Sequence, residues 1–154
     1  MIQHVYIIVE GPSDVLILSN ILNGVFDESV KLHFYVAHGV PCIISSTRTI
    51  LDLVDKDVKV LVVYDADTGD PLRAEERNDF IKSQIMNGEG DDRVSFVYFV
   101  PTIDCCHDFL RKCSWSKRNE REKYNAEVTH YIVSHKDEFL KIEQIQRIID
   151  FVRS

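Results

Sequence analysis

Three short segments of this chain, two of them acidic, carry the pattern of a divalent-metal site. Glu10 and Asp14 fall in Val9-Glu10-Gly11-Pro12-Ser13-Asp14, a turn forms at His38-Gly39, and Asp65 and Asp67 fall in Tyr64-Asp65-Ala66-Asp67. Hard anionic oxygens select Mg²⁺ or Mn²⁺. Alternate residues of an extended segment share a face, so Asp65 and Asp67 can aim at one ion while Ala66 leaves room. Asp104, in Val100-Pro101-Thr102-Ile103-Asp104, is the best candidate for a further metal ligand. Asp14, Gly39 and Asp70 fall where they can support the site, and Arg73 and Arg77, one turn apart, can approach an anion beside it.

Positioning these residues requires strands that end where the acids begin. The runs His4 to Val9, Lys31 to Val36, Val58 to Tyr64 and Val94 to Val100 are rich in Val, Ile, Tyr and Phe and read as buried parallel strands. Between them lie helical patterns. Ser13 is the expected N-cap of a helix that closes at Gly24, and Pro41 suits the first turn of a second helix carrying Ile43, Ile44, Ile50, Leu51 and Val54. Leu72 to Met86 reads as a more polar third helix. Short helical stretches are expected at Asp104 to Lys112 and Glu120 to Ser134, and one long helix at Asp137 to Arg153. The order predicts an α/β fold, Rossmann-like, with a central four-stranded parallel sheet flanked by helices and a C-terminal helical extension. Glu10 and the Asp-x-Asp pair then sit at the carboxyl rim of the sheet, where open α/β folds bind ligands.

The chain has 154 residues, 28% of them charged and 45% hydrophobic, which fits one globular domain able to fold without staples. No signal-peptide pattern precedes the first strand, and no apolar run approaches the ~18 residues of a membrane span. A cytoplasmic setting with reduced Cys42, Cys105, Cys106 and Cys113 is the expectation. A net charge of -7 disfavours a protein that merely coats nucleic acid, but permits a local phosphate-gripping patch. Six basic residues between Arg111 and Lys123, among them Lys117, Arg118 and Arg121, form such a candidate patch, with Trp115 offering a stacking face. A solvated helix surface explains the same residues equally well.

Val9-Glu10-Gly11-Pro12-Ser13-Asp14, followed 55 residues after Glu10 by a strand-borne Asp65-x-Asp67, resembles the Toprim domain, shared by topoisomerases, bacterial primases, OLD-family nucleases and small ribosomal-RNA maturation ribonucleases. The resemblance covers about residues 4–108, within one domain spanning 1–154 whose extension is about 109–154. It implies a metal-dependent nuclease acting on DNA or RNA, with Glu10, Asp65 and Asp67 catalytic and Glu10 serving also as general acid or base. Gly39 matches the glycine usual after the second strand. In topoisomerases and primases a Gly follows the Asp-x-Asp by three residues; here Asp67-Thr68-Gly69-Asp70 sets it two residues on, and the chain carries no phosphate loop of its own. The pattern that remains resembles a stand-alone, OLD-like form. That likeness implies a bacterial or phage defence setting, with a separate ATPase or other defence-system protein as partner. Two other readings stay open: a noncatalytic interaction subunit, and a primase-type nucleotidyltransferase.

Several residues have simpler explanations. Asp14 and Asp104 suit helix N-termini, and Asp70 before Pro71 suits a turn. Cys105, Cys106, His107 and Cys113 have poor zinc spacing and read better as buried thiols. The stripe Phe139, Ile142, Ile145, Ile148, Ile149 and Val152 reads as core, or else as the seam of a homodimer.

Overall fold

Each of the four apolar runs forms a strand. A computed structural model describes residues 1–86, 90–116 and 120–154, the side chains of 114–116 excepted. The elements are β1 (Gln3–Val9), α1 (Pro12–Leu22), β2 (Val30–Val36), α2 (Val40–Leu53), β3 (Lys59–Asp65), α3 (Pro71–Met86) and β4 (Val94–Phe99). There follow a 3-10 turn (Ile103–Cys106), α4 (Asp108–Ser116), α5 (Arg121–Ser134), α6 (Lys136–Leu140) and α7 (Glu143–Arg153). All strand pairs are parallel, in the order β2-β1-β3-β4.

Strand alternation sends side chains to two separate cores. Val5, Ile7 and Val9 of β1, Leu61 and Val63 of β3, and Val97 and Phe99 of β4 pack with α1, α4, α5, α6 and α7. Ile8, Val60, Val62 and Tyr64 face the other way, onto α2 and α3. The chain leaves β1 toward β2 and then returns across it to form β3, so the crossover direction reverses between the two central strands. A crevice opens outside the carboxyl ends at such a point. Among the described residues, no helix is long and apolar enough to cross a membrane.

Three local expectations change. Gly11, not Ser13, is the N-cap of α1, because Pro12, with its fixed φ and no N–H, already stands in the first turn. The stretch expected as one short helix at Asp104 to Lys112 is split into the 3-10 turn and α4, with extended backbone at His107 between them. The helix expected over Asp137 to Arg153 is broken after Leu140, and Ile142 is extended. Phe139 and Ile148 lie about 2.5 turns apart on a straight helix, hence on opposite sides of it. Both have 0% exposure, against the same core, and the break is what allows this. Ile145, Ile149 and Val152 are buried there too, so the stripe forms intramolecular core.

The carboxyl end of α7 is anchored by a residue that carries no motif in the sequence. Lys59, opening β3, donates from Nζ to the carbonyl oxygens of Phe151 at 2.9 Å, Val152 at 3.1 Å and Ser154 at 2.6 Å. A cation over unsatisfied carbonyls complements the helix dipole. Lys59→Met is expected to lower stability by about 1–2 kcal/mol, read as a lower urea midpoint with an unchanged slope. An unchanged midpoint would show that the carbonyls are satisfied equally well by water.

Candidate metal-binding rim

The rim is assembled by backbone bonds that continue the sheet past its strands. Ala66 N–H donates to the Phe99 carbonyl and Asp67 N–H to that of Pro101, both at 2.9 Å. Beyond β1, the N–H groups of Ala37 and His38 donate to the carbonyls of Val9 at 2.8 Å and Glu10 at 2.9 Å. Glu10 and Asp65 consequently stand at the ends of adjacent central strands, and Asp65 N–H approaches Glu10 Oε2 at 3.4 Å. Two non-glycine residues with left-handed backbone, His38 at φ 60° and Asp67 at φ 57°, occur here, with Gly39 following at φ 107°. Such backbone costs about 1 kcal/mol or more outside glycine and concentrates at functional sites.

The left-handed turn at Asp67 changes one expectation. Alternation ends at Ala66, so Asp65 and Asp67 do not simply share a strand face. Asp65 Oδ1 accepts the Ile103 N–H at 2.8 Å, tying it to the 3-10 turn. Asp67 instead meets Arg77 of α3, Oδ2 to Nη2 at 3.4 Å.

The acids nevertheless act on one another. Burial, then the charge of Asp14, and in lesser part Glu10 and Asp67, push the Asp65 carboxyl up to about 7, against the pull of the Ile103 N–H. Asp14, 9% exposed, is pushed up to about 6 by burial and by Asp104. Glu10 is raised as well, by burial first and then by Asp67 and Asp14, with Arg77 opposing. Glu10, Asp14, Asp65, Asp67 and Asp104 therefore share one electrostatic field.

Supporting residues divide. Asp14 has the capping role as well, accepting the Gly11 N–H at 2.9 Å. Asp70 caps α3: its Oδ1 accepts the Leu72 N–H at 3.0 Å and its carbonyl accepts that of Ala74. Arg73, largely exposed, pairs with Asp70 at 3.8 Å. Arg121 is exposed at the start of α5. Lys117 and Arg118 lie outside the described residues, as does the side chain of Trp115. Burial, reinforced by Asp104 and Cys105, pushes the Cys106 thiol up to about 12, which suits the buried-thiol reading over a metal thiolate.

A hard cation suits these donors in chemistry, since all are carboxylates, and Glu10, Asp14 and Asp65 have their proton affinity raised by burial first and by neighbouring acids after it. Among the described residues, no three His, Cys, Asp or Glu side chains converge closely enough to cage an ion. Acids line the rim, with Arg77 at its margin. The Ile103 N–H is invisible to sequence reasoning because a backbone donor has no side-chain signature. Asn78, which accepts the Tyr64 hydroxyl at 2.6 Å in the core below, shows in the sequence only as a polar residue on a polar helix.

No protein-family model matches the chain, and no curated protein or solved structure is significantly similar to it.

Proposed function

We propose that this chain is a Toprim-like, Mg²⁺- or Mn²⁺-dependent nuclease that hydrolyses phosphodiester bonds of DNA or RNA. The observation carrying this reading is the acidic field at the switch point between β1 and β3, centred on Asp65 and Glu10. Glu10, Asp65 and Asp67 would hold the cation once their carboxylates turn toward one another, and Asp104 would add charge from the turn after β4. When bound, the cation supplies Lewis-acid stabilisation of a phosphoryl oxygen and a more acidic water. Glu10, its proton affinity raised, takes the proton of the attacking water at a carboxylate oxygen. Ile103 N–H holds Asp65 in place, and Arg77 turns its guanidinium from Asp67 to a non-bridging phosphate oxygen.

Incubating labelled single- and double-stranded DNA and RNA with Mn²⁺ tests the proposal. Cleavage that EDTA stops and Glu10→Gln abolishes supports it. A wild-type protein that cleaves none of these leaves the noncatalytic subunit of a larger defence complex as the better reading.

Neutralising Lys117, Arg118 and Arg121 together is expected to weaken nucleic-acid binding without altering metal affinity. For each phosphate no longer gripped, the slope of log affinity against log salt should fall by about 0.7 to 0.9. An unchanged slope would assign these residues to solvated surface and leave the grip to Arg73 and Arg77.

A further inference from the structure

At the opposite end of the sheet from the acids, two histidines from adjacent strands meet. His4 of β1 and His33 of β2 bring Nδ1 and Nε2 within 2.8 Å of each other. Register explains the meeting: Tyr6 pairs with His33, so His4 is its diagonal neighbour on the same face. The rings stack at 5.1 Å, and Tyr6 stacks on His33 at 4.9 Å. A cavity of about 310 Å³ opens against the pair, lined also by Asp55 and walled by Leu53 and Val58. His4 precedes Glu10 by six residues of extended chain, about 20 Å, so the pair is separate from the acidic rim.

We propose that His4 and His33 form a two-imidazole site for a square-planar divalent ion of the copper(II) and nickel(II) class, with water from the cavity completing the coordination. Bonds of about 2.0 to 2.1 Å place two neighbouring ligands of a square plane about 2.8 to 3.0 Å apart, and two ligands of a tetrahedron about 3.3 to 3.4 Å apart. The 2.8 Å contact is a hydrogen bond between the two imidazoles, and it already holds the nitrogens near the first of these separations. Imidazole nitrogen suits copper and nickel, whereas the carboxylates of the rim suit magnesium and manganese. On binding, the single proton between the facing nitrogens moves to the outer nitrogen of its own ring, and both lone pairs turn to the ion. Asp55 supplies a negative wall to a site that otherwise gains charge.

Titrating copper(II) and nickel(II) chloride into the intact chain at about pH 7.5, followed by calorimetry and by the copper electron-spin spectrum, tests this. The expected result is one ion per chain with splitting from two nitrogens, apart from any ion on the carboxylate rim, which gives no nitrogen splitting. His4→Gln and His33→Gln should each weaken the two-nitrogen binding by at least about tenfold, while the Asp65→Asn, Asp67→Asn double variant keeps the two-nitrogen spectrum of the wild type. Unchanged binding in His33→Gln would overturn the proposal, whether the ion then sits on the amino terminus with His4 or on the other histidines. Loss of binding only in the aspartate double variant would overturn it as well.

Discussion

The Asp65→Asn variant is expected to lose Mn²⁺-dependent cleavage by about 100-fold or more and, at the same time, to be more stable than the wild type without metal. Asn keeps an oxygen for the Ile103 N–H, which Asp65 accepts at 2.8 Å, so the local fold survives. What disappears is a half-buried charge facing Asp14, Glu10 and Asp67. A charge desolvated among like charges is a cost to the folded state, and its removal relieves that cost. Loss of activity through unfolding would carry the opposite sign in stability. Glu10→Gln should lose cleavage comparably. Full activity in either variant would sink the assignment of the rim as the catalytic site.

The second large effect is the dependence of stability on pH and metal. Asp65 at about 7 and Asp14 at about 6 both lie above the ordinary 3.8. Between about pH 4 and pH 7 the folded chain therefore holds more protons than the unfolded chain, and stability contributed by these groups at the acidic end is lost as pH rises through that window. For Asp65 the loss is on the order of 2 kcal/mol after allowance for its partial exposure to solvent. Urea midpoints should thus be higher near pH 5 than near pH 8 in metal-free buffer. Divalent metal should reverse the trend, since protons and cation compete for the same oxygens. Near pH 8, metal at about 100 times its dissociation constant adds about 2.7 kcal/mol, a rise of about 5–10 °C in Tm. The Asp65→Asn, Asp67→Asn double variant should show a flatter pH dependence, with Asp14 remaining, and little response to metal. Equal metal shifts in the two proteins would mean that these acids do not hold the ion.

Much of the layout is legible in the amino-acid order. The Val- and Ile-rich runs determined four strands because a strand buried on both faces needs continuous apolar sequence. Gly24, at φ 77°, ended α1 as a left-handed stop should. Placing Glu10 and Asp65 at strand ends followed from the acids that close those runs. Tertiary structure decided what periodicity does not carry. Strand order β2-β1-β3-β4 made β1 and β3 neighbours, and that adjacency brought Glu10 to Asp65 across 55 residues. The left-handed turn at Asp67 followed from joining β3 to the Asp70 cap of α3, and it gave Asp67 to Arg77 instead of to the face of Asp65. The break between α6 and α7 arose because one core had to receive both Phe139 and Ile148, which no straight helix can present together. His4 and His33 were inconspicuous 29 residues apart and met only through the parallel register of β1 with β2. Sequence carries the local preference of each segment, whereas register, strand order and shared burial arise only when segments pack against one another.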